Sequence, residues 1–218
     1  MNRFVCDIIE IISFRKEMRI MTLPNKLTLL RIILIPVMII IWYIPILQKT
    51  FIPYTGIGNG YEGISWCFLI ELIIFSLASF TDFLDGKIAR KRNLITSFGK
   101  FADPLADKML VFTAMVLLMI DNQNNMPAWV FIVMIIREFM VSGIRMVVAS
   151  EGTVIAAAKL GKWKTATTMV AIIVLFFSHT CLPVEIIGRV LMYIACALTI
   201  ISGIEYFWKS KDIILKSI

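Results

Sequence analysis

Apolar residues in this chain fall into long unbroken runs rather than an alternation. Six runs stand out, over roughly 27–47, 63–84, 102–120, 127–149, 165–183 and 186–207. Each is close to the ~20 residues that carry an α-helix across the hydrocarbon core of a bilayer. None shows the period of two that marks the strands of a membrane barrel. The pattern predicts an all-α integral membrane protein with six transmembrane helices. The fifth run is the cleanest, with no Asp, Glu, Lys or Arg between Thr165 and Val184. The connections are short and contain no Gly/Ser linker, so residues 22–218 read as one six-helix domain. Residues 1–21 stand apart. Phe4, Ile8, Ile11, Ile12 and Phe14 suit an amphipathic helix lying in the interface, and a start at Met18 or Met21 suits the sequence equally. Asp7, Glu10 and Glu17 among those hydrophobes argue against a secretory signal peptide.

Composition agrees with a membrane protein. The 218 residues are 59% hydrophobic and 17% charged, with a mean hydropathy of +0.87. Soluble domains are nearer half apolar and a quarter charged. The net charge of +7 is a matter of placement. Arg3, Arg15, Lys16, Arg19 and Lys26 precede the first run, and Lys87, Arg90, Lys91, Arg92 and Lys100 follow the second. Lys159, Lys162 and Lys164 follow the fourth, and Lys209, Lys211 and Lys216 lie in the tail. The alternate loops contribute Lys49 alone. By the positive-inside rule both termini are cytoplasmic, and the basic loops face anionic headgroups. Charges spread over short membrane-flanking loops do not form a nucleic-acid surface. Cys6, Cys67, Cys181 and Cys196 are scattered, without a CxxC pair, and read as apolar fillers. His179 is the single histidine, so acid–base chemistry falls to carboxylates, lysines or a bound metal.

Ionisable groups inside membrane spans are costly, and each is a functional hypothesis by default. The densest set runs Asp82-x2-Asp85-Gly86-x2-Ala89-Arg90, then eight residues to Gly99, then Asp103 and Asp107. Asp82 and Asp85 share a helix face at the end of the second span. Asp103 and Asp107 share one at the start of the third. Two consecutive antiparallel helices therefore bring four carboxylates to one membrane surface, where their repulsion demands a cation between them. Hard oxygen donors without His or Cys point to Mg²⁺ or Mn²⁺, and four carboxylates suit a pair of ions placed for phosphoryl transfer. Gly86 and Ala89 leave room for a ligand, and Arg90 offers a planar fork to phosphate oxygens. Solvated helix caps would account for two of these residues, not for all of them.

These eight positions within 26 residues match the pattern D-x2-D-G-x2-A-R-x8-G-x3-D-x3-D, and the stretch resembles the CDP-alcohol phosphotransferases. The resemblance implies a six-helix membrane enzyme, commonly a homodimer, with a polar cavity facing the cytoplasm. Members of that family transfer the phosphoryl-bearing group of a CDP-linked lipid or alcohol to a hydroxyl and release CMP. By the same resemblance Asp82, Asp85, Asp103 and Asp107 hold two divalent metal ions, and Asp107 is also the candidate general base. Gly86, Ala89, Arg90 and Gly99 belong to the CDP-lipid site.

Three further segments are more polar than a lipid-packed helix would be. Asn25, Thr28 and Arg31 recur every three residues and make one polar stripe on the first span, facing the nucleotide-pyrophosphate. A plainer reading is an N-cap followed by a snorkelling arginine. In the fourth span Arg137, Glu138 and Arg145 leave a positive surplus suited to an anionic group, with Glu138 two turns from Arg145 and able to orient it. A structural Arg–Glu pair is the alternative. At the start of the fifth span, Lys162 and Lys164 adjoin a helix N-terminus, where phosphate binds readily; they also serve as topology signals. Glu71 lies deep in the second span, where a helix-contact or dimer-interface role is open.

The runs LPNKLTLLRI, REFMVSGIR and IAAAKLGKWKTATTM resemble the phosphatidylglycerophosphate synthase branch of the family, a bacterial membrane type. That resemblance implies CDP-diacylglycerol and glycerol 3-phosphate as substrates, with Arg137, Arg145, Lys162 and Lys164 binding the acceptor phosphate. Cardiolipin synthase and phosphatidylinositol-phosphate synthase share the fold and also meet a phosphate-bearing acceptor. A cation transporter is the reading from another class, but it predicts midplane carboxylates and internal repeats. Here the four aspartates cluster at one cytoplasmic edge, and no internal repeat is visible between the halves.

Overall fold

The computed structural model describes residues 23–52, 64–92, 97–121, 126–150, 159–178 and 182–216. Six long helices dominate: α1 Leu23–Trp42, α3 Trp66–Arg92, α4 Ser97–Ile120, α5 Ala128–Ser150, α6 Lys159–Phe176 and α7 Leu182–Lys216. Between α1 and α3 lie the short helix α2, Pro45–Lys49, and two two-residue strands, β1 (Phe51–Ile52) and β2 (Ile64–Ser65). The strands pair antiparallel with Phe51 opposite Ser65 and Ile52 opposite Ile64. Residues 1–22, including the N-terminal extension, and His179 lie outside the described residues.

Each apolar run overlaps one long helix, but the helices do not stop where the hydrophobicity does. A helix is closed by backbone hydrogen bonds, and these continue past the apolar stretch. α3 runs on to Arg92, α4 begins at Ser97, and α7 continues to Lys216. At 1.5 Å per residue, the 35 residues of α7 extend about 50 Å, well beyond a hydrocarbon core of about 30 Å. The first run behaves in the opposite way. Pro45 cannot donate a backbone hydrogen bond, so α1 stops at Trp42 and a separate turn of helix starts at Pro45. Among the described residues, two helices combine the length and apolarity to cross a membrane, over Asn25–Trp42 and Pro183–Lys211, at mean hydropathies of 1.8 and 2.0. The others carry the charged residues discussed above.

α1 shows how one helix can be both core and site. Its buried positions are Asn25, Thr28, Arg31, Ile35, Met38 and Trp42, spaced three or four apart on one face. That face is polar for its first two turns and apolar thereafter. It packs against both α3 and α4. At the apolar end, Trp42 meets Phe68 at 5.2 Å between ring centroids. Phe68 and Phe75 both reach Phe176 of α6, at 6.1 and 6.3 Å. This aromatic cluster ties α1, α3 and α6 together, with Cys67 and Leu72 buried beside it.

α6 and α7 form the most extensive helix pair. Gly188 permits their approach: a Cβ there would stand 2.7 Å from Leu175 Cδ2. Hydroxyls inside these helices satisfy themselves on backbone carbonyls one turn back, as Thr168 does on Lys164 (2.9 Å) and Thr199 on Ala195 (2.7 Å). Cys67 and Cys196 are free and buried, as inert fillers would be. Glu71 is fully buried inside the bundle, and neither of its carboxyl oxygens has a hydrogen-bond partner among the described residues.

Candidate active site

α3 and α4 are consecutive, joined by four residues, and in contact, the arrangement of an αα-hairpin. Asp82 lies ten residues before the end of α3, and Asp107 ten residues after the start of α4. Both are therefore about 15 Å from the hairpin tip by helical rise. Asp85 and Asp103 are seven and six residues from the same tip, about 10 Å. The backbone thus sets the two aspartate pairs at matching heights. The side chains of Asp82, Asp85, Ala89 and Arg90, and the surroundings of Gly86, lie outside the described residues.

Asp103 and Asp107 are described in full. Ala102, Ala106 and Leu110 form the buried face of α4, and the two aspartates flank it. Small Ala102 and Ala106 let α1 come close. The polar stripe of α1 then meets the aspartates rung by rung: Thr28 Oγ1 donates to Asp103 Oδ1, and Arg31 Nη1 donates to Asp107 Oδ1. Arg31 is wholly out of solvent, whereas the Asp107 side chain is 32% exposed. Asn25 is buried on the same stripe, and Gly99 is buried one turn before Asp103. Pro104, between the aspartates, withholds the N–H that would otherwise close on the carbonyl of residue 100. The two described carboxylates of the motif, Asp103 and Asp107, offer hard oxygen donors. Their chemistry fits Mg²⁺ or Mn²⁺.

A second cluster adjoins the first. Glu138 of α5 takes three cations on one carboxylate. Lys164 Nζ and Arg137 Nη1 (2.9 Å) both donate to Oε1, and Lys108 Nζ stands 3.9 Å from Oε2. Arg137 is otherwise committed to α7. Its Nε donates to the Thr199 carbonyl (3.1 Å) and its Nη2 to Ser202 Oγ (2.8 Å). Gly203 clears the way for it, since a Cβ there would lie 2.9 Å from Arg137 Cγ. Lys108 Nζ donates to Ser142 Oγ at 2.5 Å, and Ser142 donates in turn to the Glu138 carbonyl at 2.7 Å.

Between α4, α5 and α6 lies a cavity of about 250 Å³. Asp107, Lys108, Glu138, Lys164 and Thr165 line its polar end, and Phe112, Met115, Met134 and Met169 its deeper, apolar end. Of the cations expected to meet an acceptor phosphate, the structure brings Arg137 and Lys164 to Glu138 but not Lys162 or Arg145. Lys162 is exposed. Arg145 is exposed too, with its guanidinium 5.4 Å above the Tyr206 ring, and Glu138 orients Arg137 and Lys164 in its place. Lys108 is the residue the motif does not reach, because the pattern ends at Asp107. The available signal is a single cation inside the apolar run 102–120.

Residues 21–201 match the family model described as CDP-alcohol phosphatidyltransferase, and the chain belongs to this membrane-embedded family. Within it, the chain is 42% identical over 194 residues to a protein of Bacillus subtilis (strain 168) named CDP-diacylglycerol–glycerol-3-phosphate 3-phosphatidyltransferase. That alignment covers 87% of this chain and 95% of the relative. Relatives of the same name from Rickettsia typhi (strain ATCC VR-144 / Wilmington) and Haemophilus influenzae (strain ATCC 51907 / DSM 11121 / KW20 / Rd) are 38% and 37% identical. They cover 87% and 90% of this chain, each over 97% of its own length.

Proposed function

We propose that this chain transfers the phosphatidyl group of CDP-diacylglycerol to sn-glycerol 3-phosphate, giving phosphatidylglycerophosphate and CMP. The names of its relatives point to this reaction. The observation that carries it onto this chain is the pair of rungs from Thr28 and Arg31 to Asp103 and Asp107, beside a cavity lined by Lys108 and Lys164. The setting is a bacterial cell membrane, with six spans, both termini in the cytoplasm and the site facing it. The distribution of lysines and arginines supports that orientation.

In this reading Asp82, Asp85, Asp103 and Asp107 would hold two divalent ions, which would supply charge neutralisation for the departing CMP. Thr28 fixes the Asp103 carboxylate. Arg31 fixes that of Asp107 and keeps it from swinging out of the site. Asp107 accepts the proton of the acceptor hydroxyl, and the oxygen so released attacks the phosphorus on the lipid side. The rest of the α1 stripe, with Gly86, Ala89, Arg90 and Gly99, receives the CDP end. The acyl chains remain in the bilayer.

The test is CMP release from CDP-diacylglycerol by the purified protein in detergent with Mg²⁺. Glycerol 3-phosphate, inositol phosphate, serine and phosphatidylglycerol are offered as separate acceptors. Release with glycerol 3-phosphate is the expected result. Release driven by another acceptor alone would assign the chain to a different reaction of the same family.

A further inference from the structure

The charged groups in and behind the wall of the cavity beside Asp107 carry more positive charge than they neutralise, because Arg31 and Arg137 stand behind a lining that itself balances Asp107 and Glu138 against Lys108 and Lys164. Arg31 is matched by Asp107. Around Glu138, three cations share one carboxylate, an excess of two positive charges at the edge of a partly buried space. A phosphomonoester carries about −1.5 to −2 at neutral pH, which balances that excess. A serine or a neutral polyol would not.

The three cations are not equivalent. Arg137 gives its Nε, Nη1 and Nη2 to the Thr199 carbonyl, Glu138 and Ser202, and it does not line the cavity. Lys108 and Lys164 do. Lys164 is buried on Glu138. Lys108 is 38% exposed and rests on a serine hydroxyl, with the carboxylate 3.9 Å away. It is therefore the cation that moves at least cost. An ammonium has three donors on a flexible stem, so it can turn from Ser142 to a phosphate in the cavity and keep its contact with Glu138. It also follows Asp107 in the chain, which sets a phosphate held there next to the group that would deprotonate the acceptor.

From this geometry we infer that Lys108 and Lys164 together bind the phosphate of the acceptor, with Lys108 selecting phosphorylated acceptors. Glu138 is a positioning residue that holds the two ammonium groups on either side of the cavity mouth, and Arg137 braces Glu138 against α7. This rests on the proposed reaction and assigns the acceptor phosphate to a residue outside the family motif.

The test compares the wild-type protein with Lys108→Met, Lys108→Arg and Ser142→Ala. For Lys108→Met, the KM for glycerol 3-phosphate should rise about tenfold or more, the size of one lost charged hydrogen bond. Its kcat and its KM for CDP-diacylglycerol should stay within about threefold, the signature of lost ground-state binding. Lys108→Arg should recover most of the affinity. Ser142→Ala, which removes the resting contact of Lys108 and a hydroxyl bond to the Glu138 backbone carbonyl but no cavity charge, should leave the KM unchanged or lower it. A second readout needs no turnover: glycerol 3-phosphate should raise the melting temperature of wild type in detergent and not that of Lys108→Met. An unchanged acceptor KM in Lys108→Met, or an equal rise in the KM for CDP-diacylglycerol, would overturn the inference. If Lys108→Met does not fold, an acceptor KM in Lys108→Arg or Ser142→Ala raised tenfold would overturn it, and values near wild type would support it. Wild-type protein that releases no CMP with glycerol 3-phosphate would instead overturn the reaction itself.

Discussion

The Arg31–Asp107 pair makes an asymmetric prediction about stability. Arg31 is fully buried, while the Asp107 side chain is 32% exposed. Asp107→Ala removes the carboxylate from a guanidinium that water does not reach, and breaking a buried pair in this way costs about 3–5 kcal/mol. Arg31→Met leaves behind a carboxylate that solvent does reach, so the loss should be nearer the 1–3 kcal/mol of an unmade hydrogen bond. The side that is cut should therefore decide the cost. In the double variant Arg31→Met with Asp107→Ala, no buried charge is left to compensate. Its loss should fall short of the sum of the single losses by about 1–3 kcal/mol. The assay is unfolding in mixed micelles with EDTA present, so that only contacts within the protein contribute. Equal losses from the two single variants, a reversed order or strict additivity would refute the reasoning.

Three further outcomes follow from packing and chemistry elsewhere. Gly203→Val should cost about 1–3 kcal/mol, because the new Cβ would meet Arg137 Cγ at 2.9 Å on a side chain held at its far end by α7; wild-type melting behaviour would contradict this. Glu71→Met should raise stability by about 1–3 kcal/mol, since it removes a buried carboxyl whose oxygens have no partner among the described residues. A lower melting temperature would show that the carboxyl does have a use. Gly188→Leu should loosen the α6–α7 pair, where a Cβ would already lie 2.7 Å from Leu175 Cδ2 and 3.3 Å from the Leu175 backbone nitrogen. The check is faster proteolysis of α7, and unchanged protection would contradict the close approach.

Much of this architecture is legible in the chain, for identifiable reasons. An unbroken apolar run near the thickness of a bilayer has few alternatives to a helix, so the long helices can be placed from hydropathy. Their ends cannot, because hydropathy senses lipid while a helix ends where its hydrogen bonds do. Hence α3 reaches Arg92 and α7 reaches Lys216. The stripe of Asn25, Thr28 and Arg31 is visible from its spacing, but its partners are not. Thr28 and Asp103 are 75 positions apart, and only the packing of α1 on α4 brings them together. The lysines show a different limit. Lys162 and Lys164 are two positions apart, about 200° around a helix, so one faces inward and the other outward. The buried residues Lys164, Thr168, Ala171, Ile172 and Leu175 fix that phase. The apolar run itself does not, because α6 is hydrophobic on every side. Lys108 escapes notice for a related reason: it directly follows a motif whose aspartates account for the local charge.

The central claim is that carboxylates at the α3–α4 hairpin carry a metal-dependent transfer to glycerol 3-phosphate. Its most direct measurement is acceptor-driven CMP release by the purified protein stripped with EDTA and then titrated with Mg²⁺, alongside Asp107→Asn checked for folding. The account predicts no release after stripping, recovery on adding Mg²⁺, and no recovery in Asp107→Asn. Undiminished release in EDTA, or a fully active Asp107→Asn, would contradict it.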